Sequence, residues 1–148
     1  MSRGGEISSG EWRLSGEPGL RFLRFRQRLI ALSGNNDIDA VFFEEVKFGS
    51  SGWKATQMYG GFKALLLVWC RTHSIPCRGF SVQAVKKYVS GDGGASKQKV
   101  INSVKILGHS PGSDNEADAL ALLYLGLGDH KSIKISASSP SRGIHGPT

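Results

Sequence analysis

Asp39-Ala40-Val41-Phe42-Phe43-Glu44-Glu45-Val46 is the stretch on which the fold turns. Its apolar run is too short for a helix and is rich in β-branched and aromatic residues, so it reads as a buried strand. Buried strands do not ordinarily end in paired acids. Adjacent strand residues point to opposite faces, so only one of Glu44 and Glu45 faces a given covered side of the sheet. An unpaired carboxylate buried there is costly or takes up a proton, and a divalent cation removes that cost.

Helices are expected on both sides of this strand. Upstream, Glu6 to Leu14 alternates around Ile7, Trp12 and Leu14 and reads as a strand or hairpin arm. Pro18 can open a helix at its first turn. In the helix that follows, Phe22, Phe25, Leu29 and Leu32 share one face, and Arg21, Arg24 and Arg28 share another. Ser33-Gly34-Asn35-Asn36 ends it. Asp37 and Asp39 lie at the opposite end of the strand from Glu44.

Downstream, Phe48 to Gly52 reads as a loop. A longer helix spans about Lys54 to Thr72, with Met58, Phe62, Leu65, Leu66 and Trp69 inward. Gly60-Gly61 inside it predicts a close approach of backbone or partner. Ile75-Pro76-Cys77 turns the chain, Gly79 to Val82 is a short strand, and Gln83 to Val89 is a short helix carrying Lys86 and Lys87. A glycine-rich loop at Ser90 to Gly94 leads to a helix over Ala95 to Leu107. The last helix runs from Ser113 to about Leu125. From Gly126 onward Gly, Ser, Pro and Lys dominate, which predicts a poorly ordered tail over 127–148 beside one domain over 1–126. Strands alternating with helices make this an α/β chain.

Lys and Arg number 19 against 12 Asp and Glu, a formal charge of +7 over 148 residues. That excess favours polyanionic partners, nucleic acid first. Met1 to Gly10 is polar and carries no secretory signal. Ala64 to Cys70, the longest apolar run, is far too short to span a bilayer, so no membrane partner is expected. Two cysteines suggest a reducing compartment. Cys70, His73 and Cys77 stand near one another in sequence, but their spacing fits no common zinc pattern.

Two further segments carry chemistry. In Ser113-Asp114-Asn115-Glu116-Ala117-Asp118, Ser113 and Glu116 fit a capping box, and Asp114 suits the helix macrodipole. Capping does not account for Asp118, which sits deeper among Ala117, Leu120 and Ala121. Helical spacing puts Asp114 and Asp118 on one face, with Asn115 close to Asp118. With Glu44, Asp118 supplies oxygen donors from separate elements, as Mg²⁺ sites require. The second segment is Val85-Lys-Lys-Tyr-Val-Ser-Gly-Asp-Gly-Gly-Ala-Ser-Lys97. Gly91, Gly93 and Gly94 free the backbone to approach an anion, a helix N-terminus follows, and Lys86 and Lys97 flank the loop. The pattern suits a nucleic-acid phosphate, and neither the Walker nor the dinucleotide glycine motif is present.

Taken in order, these features resemble the RuvC family of Holliday-junction resolvases, in the ribonuclease-H-like superfamily, and a phage-type member in particular. The elements are a strand ending Phe-Phe-Glu-Glu-Val, a long helix, Val-Lys-x-x-Val-x-Gly-x-Gly-x-Ala-x-Lys, and a helix opening Asn-Glu-Ala-Asp-Ala-Leu-Ala. The resemblance covers about Glu6 to Leu125. It implies a mixed sheet flanked by helices and metal-assisted hydrolysis of phosphodiester bonds in branched DNA with Mg²⁺, or Mn²⁺ in its place.

By motif position, Glu44 corresponds to the family's strand glutamate and Asp118 to its last catalytic aspartate. Asn115 stands where the family has a third acid, and Asp114 is the neighbouring carboxylate that a shifted helix start would bring in. Lys86 and Lys97 match lysines expected to touch DNA, with Lys87, Gly91 and Gly93 beside them. The resemblance further implies a homodimer working in the cytoplasm of a bacterium or phage-infected host. The family begins with a strand carrying an Asp-x-Gly-type motif. Met-Ser-Arg-Gly-Gly-Glu6 reads as the turn after that strand, so a domain without its first strand and first catalytic aspartate is expected. The alternative reading is a DNA-binding module without catalysis. A structural or regulatory protein with an incidental basic surface is the third.

Overall fold

The computed structural model describes residues 2–3, 6–34, 38–47 and 52–137, with residues 2–3 and 131–137 described as backbone. Asp37, the Asn35-Asn36 stop, the loop over 48–51 and the chain beyond 137 lie outside the described residues.

A small antiparallel hairpin pairs β1 (Ser2–Arg3) with β2 (Glu6–Ile7). Regular pairing stops there, although the expectation was a strand reaching Leu14. Trp12 instead turns onto Phe25, edge to face with ring centroids 6.1 Å apart. Helix α1 (Pro18–Ser33) then starts at proline. The Glu17 carboxylate accepts from the N–H groups of Gly19 and Leu20 at 2.7 and 2.6 Å, which satisfies donors a helix start leaves free.

Strand β3 (Val41–Glu45) pairs in parallel with β4 (Cys77–Ser81), Val41 opposite Cys77 and Glu44 opposite Phe80. Helix α2 (Gly52–Thr72) makes the crossover between them, as a parallel pair requires. Helices α3 (Val82–Ser90), α4 (Lys97–Ile106) and α5 (Asp114–Ala137) follow. The α/β reading therefore holds. The described strands form two separate ladders, β1–β2 and β3–β4, where a single mixed sheet was expected.

Alternation along β3 sorts its side chains between two cores. Val41 packs with Leu29, Trp69 and Cys70 under α1 and α2. Phe42 turns the other way, onto Phe80 and the backbone of Gly126 in α5. The second core joins Val85 of α3, Val100 and Val104 of α4, and Leu120 and Ala121 of α5. Each such fully buried aliphatic side chain contributes roughly 1.5–3 kcal/mol.

One glycine reading needs correction. Helix α5 does not stop near Leu125; it continues to Ala137, across the expected domain edge at residue 126. A Cβ on Gly126 would lie 2.2 Å from the Phe42 ring, and one on Gly128 would lie 2.6 Å from the Tyr88 hydroxyl. These glycines admit neighbours and do not break the helix. In α2, Gly61 likewise seats the Phe22 ring, whereas Gly60 faces open space.

Cys70 is buried beside Cys77, and burial together with the neighbouring thiol pushes it up to about 12. His73 Nδ1 lies 2.9 Å from the Trp69 carbonyl. Among the described residues no group of three or more His, Cys, Asp or Glu is placed to hold a metal ion. No described helix is long and apolar enough to cross a membrane.

Candidate functional site

The even-numbered face of β3 delivers Glu44 to the N-terminal end of α5. There it meets the field of Asp118, with the Lys86 ammonium of α3 acting on both acids. Both carboxyls are half-buried. Burial raises Glu44 above its ordinary value, and the Asp118 charge raises it further. Burial likewise raises Asp118, with Asp114 adding to the effect, while Lys86 and Lys97 oppose it. Neither carboxylate has a hydrogen-bond or ion-pair partner within the protein among the described residues. Two desolvated acids that repel each other and lack donors favour an added cation.

Glu45, the other acid of the pair, faces α2. Its Oε1 lies 3.2 Å from Lys63 Nζ, with about half of its side chain exposed. The separation of the two glutamates onto opposite faces is what strand alternation demands. The end of β3 is fixed by Tyr59 of α2, whose hydroxyl donates to the Glu44 carbonyl at 2.8 Å and accepts from the Val46 N–H at 3.3 Å.

The start of α5 behaves largely as a cap. Ser113 Oγ accepts from the Glu116 N–H at 3.1 Å, and Glu116 accepts from the Gly112 N–H at 2.8 Å and from Ser9 Oγ at 2.7 Å. Asp114 is bound to Lys97 at 2.5 Å, which holds its carboxyl below the usual range. Asn115 has a side-chain partner outside the acid pair. Its amide donates to Glu11 Oε1 at 2.8 Å, a partner from the N-terminal segment that sequence spacing could not reveal.

The glycine-rich loop is organised differently from expectation. Gly91 adopts a left-handed conformation, φ 78°, and closes α3 with its N–H on the Lys87 carbonyl at 2.9 Å. The next amides turn inward. Asp92 N–H donates to Ser90 Oγ, Gly94 N–H to Asp92 Oδ1, and Ala95 N–H to the Asp92 carbonyl. Asp92 also binds Lys99 at 3.1 Å. These three amides are consumed by a local turn. Lys86, Lys97 and Lys87 flank the turn. Tyr59, Lys63 and Lys99 were missed by sequence reasoning, since each acts through a partner distant along the chain or on another element.

The sequence contacts and the described fold define a ribonuclease-H-like α/β chain whose paired acids sit at a strand end and a helix start. The chain is RuvC-like in fold and in sequence. A curated relative, the crossover junction endodeoxyribonuclease RuvC of Dehalococcoides mccartyi, is 31% identical over 81 residues, which cover 53% of this chain and 48% of that protein. The chain thus spans about half the length of the curated relative it matches. The solved structure of Thermus thermophilus RuvC superposes with a TM-score of 0.67 at 25% identity, over 79% of this chain and 72% of that one. T. thermophilus RuvC in complex with a Holliday junction substrate gives a TM-score of 0.68 at 24% identity, over the same shares. No family model matches the chain.

Proposed function

We propose that this chain carries part of the active site of a metal-dependent endonuclease for branched DNA, with the four-way junction as its substrate class. The observation that supports this reading most directly is the Glu44–Asp118 pair. The two acids are half-buried, raised and without donors, beside Lys86 in a RuvC-like fold. Mg²⁺ is commonly held by one or two carboxylates, with water and substrate phosphate completing its shell. Glu44 and Asp118 fit one such hydrated ion, while Asp114 is occupied by Lys97. When bound, the ion would supply charge stabilisation at a phosphodiester and an activated water. The protein's own part is to hold the two carboxylates on rigid elements and to set Lys86 and Lys97 where phosphates approach. We place this activity with DNA in the cytoplasm.

A homodimer belongs to the same reading. Helix α2 leaves Trp53, Leu67 and Val68 exposed at 76%, 41% and 65%, on the helix whose Gly60 faces open space. Sedimentation of the chain at micromolar concentration tests it, with a Val68→Glu chain expected to run as a monomer.

A second reading, junction binding without cutting, is favoured by Asp114, the third acid near the pair, being bound to Lys97. A synthetic four-way junction with Mg²⁺ separates the two. Cutting that Glu44→Gln and Asp118→Asn abolish supports the endonuclease. Salt-sensitive binding without cutting supports the second reading, and no binding at low salt overturns both.

A further inference from the structure

The turn that joins α2 to β4 brings the two cysteines of the chain together. Cys70, in the last turn of α2, is 2% exposed and packs with Leu29 and Trp69. Cys77, the first residue of β4, packs against the same cluster but is only partly buried. The two thiols are in hydrogen-bond contact. The backbone between them is pinned. The Ile75 N–H donates to the Cys70 carbonyl at 2.9 Å, and the Val41 N–H donates to the Pro76 carbonyl at 2.8 Å. Ser74 takes a left-handed conformation, φ 56°, which residues with a Cβ adopt at a cost.

Packing explains Cys70 taken alone, since a free cysteine behaves in a core as a small hydrophobe. It does not explain a second thiol on another element, in contact with the first and partly open to solvent.

We propose that Cys70 and Cys77 are a reversible oxidation site, closed to a disulfide by a peroxide and reopened by a dithiol. Cys77 Sγ, the sulfur within reach of solvent, attacks the peroxide as its thiolate. The O–O bond breaks, Cys77 becomes a sulfenic acid, and the departing hydroxide takes up a proton as water. Cys70 Sγ then attacks the Cys77 sulfur. The S–O bond breaks, and the Cys70 proton leaves with the hydroxide as a second water. The two thiols lose two electrons and two protons in all, and one peroxide becomes two waters. Burial and the Cys77 thiol raise Cys70 to about 12, which keeps it protonated and unreactive until its neighbour has been oxidised.

In a reducing compartment such a bond forms only while the oxidant is present. A dithiol then reverses it by exchange, becoming a disulfide itself. While closed, the bond fastens the end of α2 to the start of β4, where Cys77 stands opposite Val41. Closing that loop restricts the unfolded chain more than the folded one, so the oxidised form is the more stable. This inference is independent of the nuclease reading.

The probe is hydrogen peroxide, added to the folded full chain and followed by thiol titration, intact mass and amide exchange. The expected result is the loss of both thiols, a mass lower by two hydrogens, a chain that stays single in non-reducing gels, and full recovery in dithiothreitol. Exchange of the Ile75 and Val41 amides should slow by roughly tenfold or more in the oxidised chain. Cys77→Ala should leave Cys70 titratable after the same treatment. Peptide mapping of the unaltered chain reads the Cys70–Cys77 link without any variant. Added oxygen on Cys77 with Cys70 still a free thiol, a link between two chains, or unchanged exchange at both amides overturns the proposal.

Discussion

The hydroxyl of Tyr59 donates to the backbone carbonyl of Glu44 across 2.8 Å, joining the middle of α2 to the last turn-out of β3. The same oxygen accepts from Val46, so one side chain closes the strand end that presents the candidate metal-binding acid. Tyr59→Phe keeps the ring and removes both bonds. It is expected to cost about 1 kcal/mol, the net worth of a typical hydrogen bond, and to speed amide exchange at Val46. Thermal unfolding and hydrogen exchange check this. Unchanged exchange would show that Tyr59 does not hold the strand end.

The acid pair predicts an inverted pH dependence of stability. Glu44 and Asp118 are both raised in the folded chain, chiefly by burial. The folded state therefore keeps their protons longer than the unfolded state does, and stability falls as pH rises through the range just above the ordinary values of 4.5 and 3.8. Glu44→Gln and Asp118→Asn are each expected to raise Tm at pH 7. The gain should vanish below the ordinary carboxylate range. Thermal scans across pH test the sign, and a loss of Tm in both variants at pH 7 would contradict it.

Lys97 is predicted to act on DNA as a phosphate contact. Its side chain is three-quarters exposed although its ammonium is bound to Asp114. Lys97→Ala should weaken junction binding uniformly across sequences and lower the slope of log affinity against log salt by about 1. Lys86→Ala is expected to weaken binding too, and to raise Glu44 and Asp118 further by removing the cation that opposes their burial. Salt-titrated binding by anisotropy reads both effects.

Adjacent glycines in α2 are expected to respond with opposite signs. Gly60→Ala places a methyl in open space and gains about 0.5–1 kcal/mol of helix propensity. Gly61→Ala drives a Cβ to 2.4 Å from the Phe22 ring. Overpacking of that kind costs about 1–3 kcal/mol and outweighs the propensity gain. Denaturant midpoints of the two variants decide the matter.

Local signals carried the sequence reading where structure is local. The apolar run at Val41–Glu45, the proline at the start of α1 and the Ser113–Glu116 cap each state their element in a few residues. The Glu44–Asp118 approach was legible because a strand end and a helix start had each spent an acid without a local use for it. What escaped depends on distant partners. Gly126 looks like a helix stop until Phe42 is seen against it, and Asn115 looks free until Glu11 reaches it. The loop after Gly91 reads as open backbone, yet the Asp92 carboxylate folds it onto itself. No periodicity encodes such pairings.

The notch at Gly126 sets the shortest chain that can keep the acid pair aligned. Phe42 and Glu44 share one face of β3, and the strand is steadied on that face where the Phe42 ring enters the notch. Just beyond it, Asp129 binds Arg78 of β4, so the far half of α5 clamps both strands. A protein trimmed back to residue 126 would keep Glu44, Asp118 and every lysine named above and still lose the Asp129 bond to Arg78 that steadies the paired strands. In choosing where to cut this polypeptide for crystals or assays, the distal half of the last helix counts as part of the site.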